Sequence, residues 1–422
     1  MQKLRLILEN ERQLFKITAG ISIIWIIAQI ALIVYFWGYP QKSDMGYYIS
    51  MAVRCFNNGE WYPMAEDVYS IWIVCPGFIN YLILQLNIFG TINYNALLNL
   101  FMNIAMLFEI YYLGKKFFSK RTGLIAAIIF CLLYSNLLIV LGANTENPFL
   151  FLCLSALCMI FSGKCRYVVL AALLFALANW IRPMAIVFLF ASVHYFVISR
   201  TKFYNYPALI IPYILALFLI GTVTEKKIGH FVYQSTTSGY NLLTTSNDKA
   251  KGVHYLIAED PVSFIENDEY VTFAEKDSIW TARSIKWIKE NPAKFIFLYI
   301  KKIPLLYIHD SWAHYSHWFV MESTHFLTTG EGPENARILF IKKFLKQVLQ
   351  SIPYYIAFLF FLYALWKNRR EIFTVKSVFL TIFVIGTLIT CIFPASPRYH
   401  YPFIFVIIIY AAWGVDTLLR RD

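Results

Sequence analysis

Few residues in this chain of 422 are polar enough to do chemistry, and they sit in short runs between long apolar ones. Asp44 comes first, in Ser43-Asp44-Met45-Gly46-Tyr47-Tyr48, just after the first hydrophobic stretch. A carboxylate there stands at a membrane surface, where a lipid headgroup and water both reach it. It can act as a general base, taking a proton from an attacking hydroxyl. Tyr47 and Tyr48 follow at i+3 and i+4, on the same helical face. The same residues also read as a plain helix start, with Ser43 or Asp44 as N-cap. Glu66 and Asp67 follow in the same loop. Paired carboxylates suit a divalent cation or a second acid–base group; a solvated acidic turn is the bland alternative. Glu146, in Asn144-Thr145-Glu146-Asn147-Pro148, is the one acid in a very short link that needs no charge for solubility. It can bind a ligand hydroxyl or amine, or the segment is a turn with Pro148 opening a helix.

Two arginines complete the set. Arg182 lies in Trp180-Ile181-Arg182-Pro183, and Arg398 in Pro397-Arg398-Tyr399-His400-Tyr401-Pro402. Both fall where the charge distribution described below leaves positive residues scarce. A guanidinium grips a phosphate bidentately, and His400 beside it can share developing charge. A headgroup anchor or a structural ion pair explains the arginines equally well, and the neighbouring aromatics suit an interfacial belt.

The elements that carry these residues are membrane helices. The chain is 59% hydrophobic, 18% aromatic and only 15% charged, where a soluble domain is about 25% charged. Ten runs approach the ~20 residues needed to cross a bilayer: Thr18–Trp37, Ala96–Gly114, Thr122–Leu141, Phe149–Phe161, Val168–Trp180, Met184–Ile198, Pro207–Val223, Val348–Trp366, Val375–Phe393 and Phe403–Leu419. Val68–Phe89 and Phe295–Tyr307 are read as interfacial helices instead. Charge decides this. With ten spans, Lys115, Lys116, Lys120, Arg121, Lys164, Arg166, Arg200, Lys202, Lys367, Arg369 and Arg370 all face the cytoplasm, while the short outer loops hold almost only Arg182 and Arg398. A crossing by Val68–Phe89 would turn the first eight outward, against the positive-inside rule.

This predicts an all-α polytopic protein of the cell (cytoplasmic or inner) membrane with both termini inside. Residues 1–223 form an N-terminal membrane module with an outer loop at 38–95. Residues 224–347 form an extracytoplasmic segment with amphipathic helices, Trp280–Lys289 among them, and turn signals at Asn247-Asp248 and Glu259-Asp260-Pro261. Residues 348–422 return to the membrane. The first run lacks a cleavage pattern and reads as an anchor. The net charge of +12 is dispersed, so it points to lipid phosphates and cytoplasmic loops, not nucleic acid. Ionisable residues within spans are scarce, which speaks against an ion-coupled carrier. Seven cysteines form no metal-type spacing, and Cys55 with Cys75 in the first outer loop leaves a disulfide open. No Gly-rich phosphate loop is present, so a nucleotide-activated donor would lack a site, whereas a donor already attached to lipid would not.

The ordered motifs resemble the GT-C superfamily of membrane glycosyltransferases, in the branch of protein O-mannosyltransferases and lipid A aminoarabinose transferases. They are Asp44-x-x-x-Tyr48-x-x-x-Ala52, Pro76-Gly77-Phe78 before Phe89-Gly90, Thr145-Glu146-Asn147-Pro148, Arg182-Pro183, and Arg398-Tyr399 with Pro402 before the final span. The resemblance implies a GT-C-like fold and a polyprenyl-phosphate-linked sugar donor used on the outer face. It implies a lipid, glycan or protein acceptor, and the catalytic role for Asp44. Tyr48, Glu66, Asp67, Glu146, Arg182, Arg398 and His400 are the expected substrate contacts. Several relatives carry an acidic pair where Met45 follows Asp44 here, so a divalent cation stays open. The resulting reading is an inverting hexosyl- or pentosyltransferase. Its rivals are a polysaccharide polymerase or ligase of another polytopic fold, which needs no first-loop aspartate, and a lipid or solute transporter.

Overall fold

The computed structural model describes residues 10–70, 72–253, 261–313, 342 and 344–420. Its described secondary structure is helical throughout, apart from one isolated bridge between Val253 and Ala395. Each of the ten expected spans falls on a helix, but their lengths differ. Glu11–Tyr35, Asn95–Phe117, Asn205–Ile228 and Pro397–Leu419 are long and apolar enough to cross a membrane alone. Lys120–Leu132 with Tyr134–Leu141, and Phe344–Gln350 with Ile352–Lys367, qualify only as pairs bent by 65° and 56°. Glu146–Phe161, Cys165–Ile181, Ile186–Ile198 and Ser377–Thr390 are shorter apolar helices. Length and composition therefore support four to six spans of the expected ten. The chain is a membrane protein.

The bundle is built around its last helix. Residues Ile404 to Ala412 are at most 1% exposed, which leaves this helix surrounded on every side. Such all-round apolarity is what a central helix requires. It packs against Ile352–Lys367 and Lys120–Leu132. The Asn95–Phe117 and Lys120–Leu132 helices cross closely at Gly114 and Gly123, where a Cβ on Gly114 would lie 2.8 Å from the Gly123 Cα.

Asparagines on one face of the Asn95–Phe117 helix hold the segment that follows the 65° bend. Asn99 Nδ2 donates to Gly142 O at 2.9 Å and Val140 O at 3.3 Å, and Asn95 Nδ2 donates to Gly142 O. Asn103 Nδ2 donates to Asn136 O at 2.7 Å. Asn147 donates in turn to Asn99. The four-residue spacing of Asn95, Asn99 and Asn103 sets these amides in one row.

The 38–95 loop departs from expectation at one place. Val68–Phe89 is not one helix. A single turn lies at Asp67–Ser70, residues 72–75 are not helical, and Pro76–Phe89 begins afresh. Pro76 is suited to a first helical turn because it has no N–H to lose there. Fourteen residues rise only ~21 Å, short of a ~30 Å hydrocarbon core. Gly77 lets this helix touch the Cys165–Ile181 helix, since a Cβ would meet Trp180 C at 2.6 Å. The amphipathic Trp280–Lys289 stretch lies within Phe273–Glu290, which opens with a capping box at Thr272 and Glu275. The helix Pro292–Leu306 takes in the expected Phe295–Tyr307 stretch up to Leu306, with Tyr307 as its C-cap. The Glu259-Asp260 turn lies outside the described residues.

Candidate active site

Residues from 44–48 and 72–75 in the first loop line a cavity of about 470 Å³ together with residues from 235–241, 182–184 and 389–399 and Thr145. Its charged lining residues are Asp44, Arg182 and Arg398. Each is delivered by the start or end of a helix. Asp44 lies in the first turn of Ser43–Asn57, where a carboxylate also complements the helix dipole. It caps nothing with its side chain, and Lys42 occupies the N-cap position. Arg182 ends Cys165–Ile181. Arg398 sits in the tight 3-10 turn Pro397–Phe403 that leads into the central helix.

These side chains form one chain of ion pairs. Asp44 Oδ2 lies 2.7 Å from Arg398 Nη1, and Arg398 Nε donates to Glu146 Oε1. Arg182 Nη1 lies 2.5 Å from the same Oε1 and 3.2 Å from Thr145 Oγ1. The Arg182 guanidinium also covers the Tyr399 ring at 5.1 Å. Burial separates the two carboxylates. The Asp44 side chain is 57% exposed, whereas Glu146 is fully buried behind the arginines. An isolated buried carboxylate would be very costly, and two guanidiniums offset that cost. Glu146 lies ahead of the expected 149–161 span. Burial pushes its carboxyl up, but Arg398 and Arg182 outweigh that and hold it at about 2. Arg398 keeps its Nη2 edge without a partner among the described residues.

Other expected residues are placed differently. Tyr48 lines the cavity, with its hydroxyl 3.8 Å from Cys75 Sγ. Glu66 and Asp67 do not line it. Both accept from Arg54 Nη2 at 2.7 Å, and Asp67 Oδ2 also accepts from Met64 N. They brace the loop against the Ser43–Asn57 helix. His400 also departs from its expected place. It is fully buried, donates from Nδ1 to Leu306 O at 2.8 Å and lies against the Tyr354 ring at 5.3 Å. Its position anchors the Arg398 turn, which Tyr401 ties down further through Asn136 Oδ1 at 2.9 Å. Glu146 holds the arginines and does not line the cavity.

Among the described residues, no group of three His, Cys, Asp or Glu side chains is arranged to hold a metal. The carboxylates that would serve a divalent cation are taken up by arginines, so no step is routed through one. Cys55 and Cys75 are free thiols.

Sequence reasoning did not find the wall opposite the arginines. It is formed by Trp72 and by residues 235–241, whose Ser-Thr-Thr-Ser-Gly-Tyr-Asn run is rich in hydroxyls. Cys75 N donates to Ser235 Oγ at 2.8 Å, and Thr236 N donates to Ile73 O at 2.8 Å. Gly239 N donates to Asp277 Oδ1 at 2.6 Å. Burial raises the Asp277 carboxyl, while the N–H groups of Gly239 and Tyr240 pull it back in part.

No protein-family model and no curated protein matches the sequence. Solved structures do match the fold. The apo oligosaccharyltransferase of Archaeoglobus fulgidus superposes with a TM-score of 0.50 at 13% identity, over 95% of this chain and 50% of that one. Another structure, the oligosaccharyltransferase AglB of Archaeoglobus fulgidus with an inhibitory peptide and a dolichol-phosphate, gives 0.48 at 12% identity, over 95% and 50%. The chain thus spans about half the length of these structures. Its helical bundle shares the fold of that part of the Archaeoglobus fulgidus oligosaccharyltransferase.

Proposed function

We propose that the protein is a glycosyltransferase. It moves a sugar from a polyprenyl-phosphate donor to a hydroxyl of a lipid, glycan or protein acceptor. It acts on the outer face of the cell membrane, with both termini in the cytoplasm. The observation that carries this reading is the chain Asp44–Arg398–Glu146–Arg182 opening into a cavity of about 470 Å³. Two guanidiniums and one exposed carboxylate face the same space, which is what transfer from a phosphate to a hydroxyl requires.

The donor phosphate docks on the free edge of Arg398, with Arg182 beside it. The prenyl chain leaves along the apolar wall of Ile389, Phe393 and Pro394. Phosphate and Asp44 compete for Arg398, so donor binding draws the guanidinium away and leaves Oδ2 free. Asp44 then takes the acceptor hydroxyl proton. The acceptor oxygen bonds to the anomeric carbon from the side opposite the phosphate, and configuration inverts. The carbon–oxygen bond to phosphate breaks, and its electron pair leaves with polyprenyl phosphate. This leaving group is already anionic and needs no strong acid; the arginines stabilise the charge it gains.

The test is transfer from a panel of defined polyprenyl-phosphate sugars by purified protein. Asp44→Asn should lower turnover about 10²–10⁴-fold. Thermal unfolding should barely move, because the side chain is more than half exposed. Turnover within a few-fold of wild type rejects Asp44 as the base. Failure of the wild type to release sugar from any donor rejects the reading itself.

A further inference from the structure

The cavity has two chemically different halves. Asp44, Arg182 and Arg398 are tied together through Glu146, while Tyr48 and Cys75 link by hydrogen bonds to Ser235 at the start of the 235–241 run. The lining contributed by Trp72, Thr237, Ser238, Tyr240 and Asn241 carries no charge. The polar groups of Thr237, Ser238 and Asn241 have no side-chain partner among the described residues.

This wall is held in place from behind. The Trp72 ring lies 4.2 Å from Tyr240 and 5.3 Å from Trp280, in edge-on contacts. Trp280 Nε1 is fixed to Ser263 O at 3.0 Å. Tyr62 Oη donates to Trp72 O at 3.0 Å. Gly239 packs so tightly on Asp277 that a Cβ would collide with its carbonyl oxygen. Amphipathic aromatic rings and preset hydroxyl and amide groups form a surface prepared before any ligand arrives.

We infer that this half binds an uncharged pyranose ring. The inference rests on the donor-site reading given above. Aromatic rings accept the C–H faces of a sugar, and hydroxyls and an amide exchange hydrogen bonds with its neutral hydroxyl groups. A uronate would bring a negative charge to a wall that supplies no cation and is backed by the Asp277 carboxylate, and would be stripped of water without compensation. The same chemistry serves the sugar of the donor or a ring of a glycan acceptor.

The experiment measures equilibrium binding to the purified protein in lipid nanodiscs. The probes are polyprenyl phosphate alone, polyprenyl-phosphate glucose, polyprenyl-phosphate glucuronate, and methyl α-glucoside. The glucose-bearing lipid should bind about tenfold tighter than plain polyprenyl phosphate, the scale of one or two hydrogen bonds. The glucuronate lipid should show no such gain. Thr237→Val and Asn241→Ala should shrink the ratio of glucose-bearing to plain affinity, and Trp72→Ala should shrink it most. The two smaller substitutions keep the test valid if Trp72→Ala fails to fold. A ring belonging to the acceptor would show instead as methyl α-glucoside binding alongside polyprenyl-phosphate glucose and lost in Asn241→Ala. Glucuronate binding as tightly as glucose overturns the inference, as does a ratio indifferent to Thr237→Val and Asn241→Ala with no glucoside binding. Failure of plain polyprenyl phosphate to bind, or equal binding by Arg398→Ala, rejects the donor reading; methyl α-glucoside then still decides for or against the ring site.

Discussion

Among the described residues a buried carboxylate is held between two arginines twice, at Glu146 and at Asp416, and the two clusters differ in what they leave over. Asp416, on the central helix, takes Ser119 Oγ at 2.7 Å and Thr122 Oγ1 at 3.0 Å, with Arg121 at 3.1 Å and Arg420 at 2.8 Å. A cavity of about 320 Å³ adjoins it, but the charges there pair off: Arg420 with Asp416, and Lys376 with Glu371 while lying over the Trp413 ring at 4.3 Å. Around Glu146 the compensating carboxylate sits behind the guanidiniums. Two arginines and only one acid, Asp44, then face the cavity. The same pairing chemistry closes on itself in one place and stays open to an anion in the other.

Breaking each cluster sharpens this contrast. Glu146→Gln removes the anion between two enclosed guanidiniums and should cost about 3–5 kcal/mol of stability. Transfer activity should be lost even in the folded fraction, because both arginines lose their orientation. Asp416→Asn should also lower the unfolding temperature, yet leave turnover per folded molecule and donor KM within about twofold. Thermal unfolding and kinetics on the same preparations decide it. Equal loss of activity per folded molecule in both variants would dissolve the distinction.

Arg398→Lys is the next largest effect. An ammonium lacks the planar fork and cannot hold Asp44, Glu146 and a phosphate together. Losing one charge-assisted contact costs about 1.5–3 kcal/mol, so donor KM should rise roughly tenfold to a hundredfold. Full recovery by lysine would make Arg398 a headgroup anchor.

Gly239→Ala should act more gently, through shape. The added methyl pushes residues 238–241 away from Asp277, so KM for a sugar-bearing donor should rise severalfold while plain polyprenyl phosphate binds as before. Binding isotherms for the two lipids separate these outcomes.

Acid tests the Glu146 cluster without a substitution. The Glu146 carboxyl is held at about 2, against an ordinary glutamate value of about 4.3. A depressed folded value contributes stability that is complete above about pH 4.5. That contribution is lost as pH falls toward 2, since the unfolded chain binds the proton first. Unfolding followed by tryptophan fluorescence should show this loss in wild type, and a flatter profile between pH 4.5 and 2 in Glu146→Gln.

Much of this was open to sequence reading because hydropathy is local. The ten apolar runs all fall on helices, and the scarcity of charge beside Arg182, Arg398 and Glu146 marked them as residues in need of partners. They proved to be one another's partners. What stayed closed depends on contacts distant in sequence. Glu66 and Asp67 look like a free acidic pair until Arg54, on the facing helix, takes both. His400 looks like a neighbour of Arg398 facing the same space, but a tight 3-10 turn points it inward. Val68–Phe89 reads as one apolar run, because hydropathy ignores the break at Cys75, where φ is +45°. Residues 235–241 are unremarkable polar chain until Ile73 and Cys75 pair with them.

The row of Asn95, Asn99 and Asn103 has a further consequence. Beyond the break at Leu133, the carbonyls of Asn136, Val140 and Gly142 take hydrogen bonds from these side chains. The three amides replace water for those groups. They act as a small amount of solvent built into the scaffold, fixed in position and unable to exchange. An irregular turn can therefore pack against the bundle, and Glu146 can be presented from the start of the next helix. A change to leucine at any of the three would dry the turn out, and the buried carboxylate would lose its seat before the arginines lost their charge.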